Sequence, residues 1–361
     1  MNSEKPKIYQ NFVLKNNNTF KLNVEAKYFV SVESVTQLRT LIASPLFSSE
    51  KVLYLGAGSN ILFSGDFDGL VIRLNMKGRR IVAEDSTTVI VEALAGEDWP
   101  ELVRFVVSKG WGGIENLALV PGSVGAAPVQ NIACYGHNLH ESVFCVNALD
   151  VATGKLQAFS AEDCRFSYRD SIFKQELRGK FIITGLQLRL SKQPVLNTSY
   201  RSRYESVEAE LSKISKPPFT IQDVYNAISN IRIRKLPDVS SVGCAGSFFK
   251  NPTIDHRQFQ NLKAMCPGIH YYPASHLSYA QISNPDKLSE EYIKIPAAWL
   301  IEEMGWAGKR IGDCGTWPTQ PLNIVNYGNA SPTELLSFVE TIRNEVVRVY
   351  GILLENEVQI V

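Results

Sequence analysis

The pattern of hydrophobic and polar positions predicts a small α/β unit in the first seventy-odd residues and a β-rich region from about residue 70 to residue 190. Leu186 and Leu188 alternate with Gln187 and Arg189, so at least this strand has one solvated face. Residues 150–154, Asp-Val-Ala-Thr-Gly, form the pattern of a hairpin turn between two strands. The predicted strands lie at residues 51–55, 61–63, 70–73, 89–94, 143–150, 156–159 and 181–190.

Helical periodicity interrupts these strands and becomes prominent in the last third of the chain. Polar residues 193–218 interrupt both patterns and predict a loop or linker, and residues 352–361 predict a terminal strand. Capping residues and apolar spacing predict five helices: one after Ser31 or Ser34, one from Asp98 to Gly110, one after Thr220, one over 296–305, and one from Ser331 to Gly351.

Residues 116–136 contain no Asp, Glu, Lys, Arg or His. A membrane helix is excluded because prolines and glycines break the helical geometry, and Gln130 and Asn131 would be desolvated in lipid. We interpret the stretch as a buried, ordered loop. Its glycines and small side chains allow main-chain N–H groups to approach an anion, which fits a cradle for a phosphate-bearing cofactor. A tight connection between core strands explains the composition equally well.

Composition and charge narrow the classes of function. The 361 residues are 45% hydrophobic and 20% charged, and suffice for two or three domains. A net charge of +1 offers no field to attract nucleic acid or an anionic membrane. The six cysteines lack C-x-x-C spacing, and His137 and His140 lack a third ligand nearby, so neither pattern predicts a metal site. The start of the chain carries no export signal, and no apolar run reaches about 18 residues, so we expect a cytoplasmic protein.

Four further polar groups lie where core packing alone does not explain them. The segment 56–60, Gly-Ala-Gly-Ser-Asn, follows a strand and is a second candidate phosphate-binding segment, although a dinucleotide fingerprint has a third glycine. Arg169 can bind a carboxylate or pair with a neighbouring aspartate. Ser247 is surrounded by small and aromatic residues but lacks the Gly-x-Ser-x-Gly elbow of hydrolases. Glu355 and Glu357 share one face of the predicted terminal strand, and this pattern fits either a carboxylate that points into a cleft or, as for most carboxylates on a strand, a solvated pair.

Seven short motifs occur in the order seen in one enzyme family. They are Asn-Thr-Phe at 18–20, the segment 56–60, residues 113–131, Tyr-Arg-Asp-Ser at 168–171, Lys-Leu-Pro-Asp at 235–238, Gly-Ser-Phe-Phe-Lys-Asn-Pro at 246–252 and Leu-Glu-Asn-Glu-Val at 354–358. With these motifs the chain resembles, over nearly its whole length, the longer variety of the UDP-N-acetylenolpyruvoylglucosamine reductase (MurB) family.

The resemblance implies an α+β fold, with a two-part FAD-binding region of the vanillyl-alcohol-oxidase (PCMH) type and a smaller α/β substrate-binding domain. The implied parts are FAD-binding subdomains at 1–75 and 76–192, a linker with a substrate loop and helix at 193–230, and a substrate-binding domain at 231–361. The implied protein is a monomer that holds FAD non-covalently, uses NADPH as co-substrate and needs no metal.

The implied reaction reduces the enolpyruvyl ether of UDP-N-acetylglucosamine to UDP-N-acetylmuramate in peptidoglycan synthesis. Arg169 and Glu357 would stabilise charge on the substrate, and Ser247 would protonate its α-carbon with help from Lys250 or a water chain. The implied FAD-binding residues are Gly56, Gly58, Ser59, Asn60, Pro121, Gly122, Ser123, Gly125 and Ala126. The implied substrate-binding residues are Tyr200, Lys235, Asn251 and Gln320.

Several positions depart from the family pattern. Ala133 occupies a place where glycine is usual, Asn356 replaces a usual proline, and Gln359 stands where arginine is common. Residues 267–294 are longer than the common pattern, and no role is assigned to them. A flavin oxidoreductase with a different substrate and a nucleotide-binding module without catalysis are the alternative readings.

Overall fold

The structure is a computed structural model that describes residues 5–201, 205–273 and 292–361. It divides into two compact units. The first unit comprises Met1–Phe12, Ala26–Ala57 and Asp68–Arg234, and the second comprises Val13–Glu25, Gly58–Phe67 and Lys235–Val361. The four-part division implied by the resemblance stays a prediction.

The first unit begins with a four-stranded sheet and two helices. Ser34 accepts a hydrogen bond from the Gln37 N–H at 3.1 Å, which confirms the predicted cap and selects Ser34 over Ser31. Leu38 and Leu41 lie on the buried face of the helix that follows. The strands, in sheet order, are Ile8–Val13, Glu25–Val32, Phe67–Leu74 and Val52–Leu55. The helices are Val35–Ile42 and Pro45–Ser49.

A five-stranded sheet with antiparallel neighbours forms the centre of the first unit. Leu186 and Leu188 are buried while Arg189 is exposed, as their alternation predicts. The helix Trp99–Ser108 is capped by Asp98 and shares a hydrophobic core with this sheet. The strands, in sheet order, are Leu156–Ser160, Val143–Asp150, Phe181–Ser191, Thr88–Leu94 and Arg79–Glu84.

The polar segment 193–218 is not wholly a loop, so that prediction is wrong in part. The helix Val207–Ile214 lies within it, capped by the Ser206 hydroxyl, which accepts from the Ala209 N–H at 3.3 Å. Val207 and Leu211 supply the buried face, a pattern too short to be seen among the surrounding lysines and serines. The first unit also contains the helix Ile221–Lys235, the strand pair Ala133–Cys134 and His137–Asn138, and the 3-10 turns Glu115–Leu117 and Leu139–Glu141.

The second unit is a mixed α/β body whose longest helix is Pro332–Tyr350. Ser331 and Glu334 form the predicted capping box, and Gly351 ends the helix with a φ of 66°. Its four-stranded sheet has the order Gly243–Ser247, Gln320–Asn326, Cys314–Trp317 and Arg310–Ile311. A three-stranded sheet has the order Thr253–Ile254, Ile293–Lys294 and Tyr272–Pro273, and a two-stranded sheet pairs Gln359–Ile360 with Ile61–Leu62. Its other helices among the described residues are His256–Met265, Ala297–Glu303 and the 3-10 turn Lys15–Asn17.

The predicted terminal strand over residues 352–361 is wrong for most of its length. Only Gln359–Ile360 pairs as a strand, parallel to Ile61–Leu62. Upstream of it the carbonyl of Leu354 accepts from the Arg343 side chain at 3.2 Å, and Asn356 forms only an isolated bridge to Phe249. These contacts satisfy the backbone without a continuous ladder, so Glu355 and Glu357 do not share the face of a strand.

Tyr272–Pro273 and Ile293–Lys294, near the ends of the long segment 267–294, pair with each other, whereas residues 274–291 lie outside the described part. Within the described ranges no helix combines the length and the apolar character needed to cross a membrane. Nor do His, Cys, Asp and Glu side chains of those ranges form a group of three or more that could hold a metal ion. His137 instead lies 3.2 Å from Glu141, and His140 lies 3.2 Å from the Asn131 amide.

Candidate active site

The charge-free loop of the first unit is tied to the connection between a strand and the helix Trp99–Ser108. The Gly125 N–H donates to the Ala95 carbonyl at 2.9 Å, and the Val124 N–H donates to Glu97 at 2.9 Å. Trp99 donates its main-chain N–H to Gly122 at 3.0 Å. The prediction of an ordered loop is therefore confirmed. Within residues 121–126, Ser123, Val124 and Gly125 are buried, while Pro121 and Ala126 are exposed.

The two glycine-bearing segments predicted to bind phosphate meet in this unit. A Cβ atom added at Gly56 would lie 2.3 Å from Ser123 Oγ, and one added at Gly125 would lie 2.6 Å from the Cβ of Ala95. Gly122 has a φ of 145°, which side chains rarely allow. The surface formed by these segments is thus main chain and small, uncharged side chains. Such a surface fits the close approach of a dinucleotide such as FAD.

A turn that carries Arg169 is fixed to the same loop. Asn131 is 3% exposed, and its amide donates to the Ser167 carbonyl at 3.1 Å while its Oδ1 accepts from the His140 N–H at 3.0 Å. The buried Ser171 hydroxyl donates to Val129 at 2.7 Å. Arg169 itself has a φ of 56°, a left-handed conformation that costs a non-glycine residue about 1–3 kcal/mol. The surrounding hydrogen bonds hold the arginine in that conformation.

The Arg169 guanidinium lies against the end of the charge-free loop. It donates to the carbonyl of Ala133 at 3.1 Å, and its Cζ lies 5.5 Å from the centre of the Tyr168 ring. Ala133 is the position where the family pattern has glycine. The contact uses the carbonyl, so the extra methyl group of alanine does not prevent it.

Tyr200 contacts the same loop two residues further along. Its ring lies 5.2 Å from that of Tyr135 in an edge-to-face arrangement. The Asn116 amide links the two segments, since it donates to Tyr135 at 2.7 Å and to Asn197 at 2.9 Å. In the first unit, Gly56 thus approaches Ser123, whereas Arg169 and Tyr200 contact residues 133 and 135 at the end of the charge-free loop.

Two titratable side chains of the loop, Cys134 and Tyr135, are held neutral. Burial raises the pKa of the Cys134 thiol, and that of the Tyr135 hydroxyl as well. Cys134 donates through its sulfur to the Asn116 carbonyl at 3.1 Å. The loop therefore adds no negative charge that would repel phosphate.

The remainder of the predicted segment 56–60 belongs to the second unit. The Gly58 carbonyl accepts from the Thr19 N–H at 3.0 Å and from its hydroxyl at 3.2 Å. A Cβ added at Gly58 would lie 2.1 Å from the Asn17 carbonyl oxygen. Asn60 donates its side-chain amide to the Glu357 carbonyl at 3.1 Å. Ser59 lies between them, half-buried.

Ser247 and Glu357 lie on segments that pair with one another in the second unit. The Glu357 N–H donates to the Phe248 carbonyl at 2.8 Å, and the Lys250 N–H donates to Glu355 at 2.8 Å. Both Ser247 and Glu357 are half-buried. The structure therefore brings these two predicted catalytic residues into neighbouring segments of one unit.

Lys250 and Cys244, which lie near Ser247 in the sequence, each have a defined environment. The Lys250 ammonium lies 3.1 Å from Glu355, whose side chain is 73% exposed, so this lysine is engaged with Glu355 at the surface. Burial raises the pKa of the Cys244 thiol to about 11, so Cys244 stays protonated at neutral pH.

Three predicted substrate-binding residues also lie in the second unit. The Thr319 hydroxyl donates to the Lys235 carbonyl at 2.6 Å, which holds the turn before Gln320 beside Lys235. Asn251 accepts the N–H of Ala297 at 3.0 Å through its side-chain oxygen, at the start of a helix. Asn251 therefore has a structural contact in addition to any contact with a ligand.

The sequence did not single out Arg343 or the anchoring role of Asn131. Arg343 follows the buried Ile342 in an amphipathic helix, and its charge alone gave no sign of an inward contact. Asn131 was part of a motif, and its burial inside a charge-free stretch was the available signal.

Comparison with known proteins shows the class of protein to which this chain belongs. The profile described as "FAD binding domain" matches residues 26–160. The profile described as "UDP-N-acetylenolpyruvoylglucosamine reductase, C-terminal domain" matches residues 238–361. The two profiles and the mixed helix and sheet content thus define an FAD-containing oxidoreductase with an α+β fold.

Relatives of known function extend the match to nearly the full length. The chain is 40% identical to the UDP-N-acetylenolpyruvoylglucosamine reductase of Flavobacterium johnsoniae, over 98% of this chain and 99% of that protein. It is 39% identical to the same enzyme of Amoebophilus asiaticus, with the same coverage. The crystal structure of the Thermus caldophilus reductase (MurB) has the same fold, with a TM-score of 0.63, 21% identity and coverage of 99% and 98%. The chain belongs to the UDP-N-acetylenolpyruvoylglucosamine reductase family.

Proposed function

We propose that this chain reduces the enolpyruvyl ether of UDP-N-acetylglucosamine to UDP-N-acetylmuramate, with NADPH as the source of hydride and FAD as the bound cofactor. The observation that carries the proposal is the contact between Gly56 and Ser123, which joins two glycine-bearing segments in one main-chain surface within the FAD-binding region. Family membership over nearly the whole chain supports the substrate.

The cradle residues would hold the cofactor. We assign Gly56, Pro121, Gly122, Ser123, Gly125 and Ala126 of the first unit to FAD, and the resemblance adds Gly58, Ser59 and Asn60. Bound FAD supplies hydride transfer from NADPH to the terminal carbon of the enol ether. The protein must then stabilise the negative charge that develops on the substrate's α-carbon and carboxylate.

Arg169 is suited to stabilise that charge. Its guanidinium has five N–H donors in a planar fork, which matches the two oxygens of a carboxylate. One donor goes to Ala133 at 3.1 Å, and this contact orients the group before substrate arrives. A prepositioned arginine avoids reorganisation at the moment of reaction.

Ser247 and Glu357 complete the reduction. Ser247 gives the proton that the α-carbon requires, and a water chain restores the proton, since Lys250 is engaged with Glu355. Glu357 acts in its protonated form or through a shared proton, because an ionised carboxylate would repel the enolate. Tyr200, Lys235, Asn251 and Gln320 bind the nucleotide-sugar.

The reactants of the proposed reaction indicate the cellular compartment in which the protein acts. We assign the chain to the cytoplasm, where NADPH is available and where reduced thiols such as its six free cysteines are the rule. We further propose a monomeric state. Supply of a peptidoglycan precursor would make it necessary for cell shape, cell division and the cell cycle.

Purified protein tests the proposal in two steps. A yellow flavin spectrum establishes the cofactor, and NADPH oxidation is then followed with and without the enolpyruvyl nucleotide. We expect rapid oxidation only with the nucleotide present, and UDP-N-acetylmuramate as the product. Oxidation of NADPH at the same rate with and without nucleotide, or activity with another acceptor only, would contradict the proposal.

A further inference from the structure

Glu357 owes its position to a short pairing of two segments in the second unit. The Lys250 N–H donates to the Glu355 carbonyl, and the Glu357 N–H donates to the Phe248 carbonyl, each at 2.8 Å. Phe249 and Asn356 face each other in the bridge between these bonds. A pairing of this length contains few hydrogen bonds, so it needs support from other groups to remain in register.

Arg343, on the helix Pro332–Tyr350, supplies that support. Its Nε donates to the Leu354 carbonyl at 3.2 Å, and one terminal nitrogen donates to the Asn356 side-chain oxygen. Its Cζ lies 5.7 Å from the centre of the Phe249 ring. The guanidinium thus contacts both paired segments.

The environment of Arg343 makes these contacts effective. The Arg343 side chain is only 17% exposed, and Glu340 on the same helix pairs with its other terminal nitrogen. Hydrogen bonds of a poorly solvated guanidinium are stronger than those at the surface. The second ion pair near this segment, Lys250 with Glu355, has a largely exposed carboxylate and contributes little.

We propose that Arg343, through Asn356, Leu354 and Phe249, is a positioning residue that sets the place of Glu357 relative to Ser247 in the reduction step. The inference rests on the proposed roles of Ser247 and Glu357. Arg343 itself contacts neither side chain. Arg343 holds Leu354 and Asn356, the residues on either side of Glu355, and this contact fixes the orientation in which the carboxyl group of Glu357 is presented.

The test compares variants of Arg343 and Asn356 in two half-reactions of the FAD-loaded protein. The first is flavin reduction by NADPH, and the second is reoxidation by saturating enolpyruvyl nucleotide. We expect Arg343→Met and Asn356→Leu to slow reoxidation by about 10- to 100-fold, because small displacements of reacting groups are costly. Flavin reduction should stay within about twofold of the parent. Asn356→Asp keeps an oxygen acceptor for Arg343 and should retain the parent rate.

Controls separate positioning from stability and from the proposed function. Arg348→Met removes an arginine of the same helix whose side chain is 72% exposed, and it should leave both half-reactions unchanged. Parent reoxidation rates in both Arg343→Met and Asn356→Leu, with Glu357→Gln slow, would overturn the positioning role alone. A parent rate in Glu357→Gln would overturn the proposed role of Glu357 and this inference with it. If Arg343→Met fails to fold, the Asn356→Leu and Asn356→Asp pair gives the same decision.

Discussion

The two units build their candidate sites from different parts of the chain. In the first unit the cradle is main chain, shaped by Gly56, Gly122 and Gly125, and Asn131 fixes the arginine turn from inside. In the second unit the reactive groups are side chains on segments that hydrogen bonds and Arg343 hold together. This difference suggests that cofactor retention and substrate reduction can be lost separately.

The largest expected effect belongs to the second unit. Ser247→Ala removes the proposed proton donor and should lower turnover by about 10²–10⁴-fold, the usual cost of losing general acid catalysis. Bound flavin should stay at the parent level. Steady-state NADPH oxidation with the nucleotide measures turnover, and Ser337→Ala, an exposed serine on a helix of the same unit, is the control. If Ser247→Ala lost bound flavin as well as turnover, cofactor retention and substrate reduction would not be separable in the way that the two units suggest.

Gly125→Ala should produce the complementary result in the first unit. The new methyl group would lie 2.6 Å from the Ala95 Cβ and 3.2 Å from its carbonyl oxygen, so the main chain must shift. We expect a loss of about 1–3 kcal/mol in the free energy of unfolding, together with lower flavin content. Urea unfolding and flavin absorbance measure both quantities. Gly65→Ala, where an added Cβ meets no atom within 4 Å, should leave both unchanged.

Asn131→Ala tests whether the loop also fixes Arg169. Alanine cannot replace the hydrogen bonds to Ser167 and His140, and we expect about 1–2 kcal/mol of lost stability. Slower reoxidation by the nucleotide should accompany it, with flavin reduction by NADPH unchanged. Asn226→Ala, at an exposed helix position, is the matched control. Unchanged reoxidation would show that Arg169 does not depend on this anchor.

The smallest expected effect is a change in the free energy of unfolding at acidic pH. Although burial opposes it, hydrogen bonds from His137 and Asn138 lower the pKa of Glu141 from 4.5 to about 2. The folded state therefore gains stability from ionised Glu141 above the ordinary pKa, and loses it as the pH falls through the lowered value. Glu141→Gln should thus be less stable than the parent at neutral pH, and this difference should shrink toward pH 2. Urea midpoints across this range measure it, with the exposed Glu162→Gln as control.

The sequence was most informative where local chemistry determines the structure. Ser34, Asp98 and Ser331 were recognised as caps because each side chain bonds a backbone N–H a few residues away. Prediction from the sequence failed where contacts between residues far apart in the chain determine the backbone conformation. Residues 352–358 have the apolar content of a strand, yet Arg343 and residues 248–250 take their hydrogen bonds.

The candidate site shows the same limit. Motifs identified Arg169, Ser247 and Glu357, whereas no local pattern indicated that Asn131 anchors the arginine turn or that Lys250 pairs with Glu355. Such contacts join residues far apart in the chain, so spacing cannot reveal them. The preference for Glu357 over Glu355 stays a prediction, and it is supported by the fold, which exposes Glu355 and half-buries Glu357.

The central claim is that cofactor retention in the first unit and substrate reduction in the second can be lost separately. One rapid-mixing experiment that compares Gly125→Ala with Ser247→Ala tests this claim most directly. It measures flavin content and the rate, per bound flavin, at which the enolpyruvyl nucleotide reoxidises NADPH-reduced protein. We predict that Gly125→Ala lowers flavin content and keeps the parent rate per flavin, while Ser247→Ala keeps full flavin and reoxidises about 10²–10⁴-fold more slowly. Equal loss of both quantities in both variants would contradict the account.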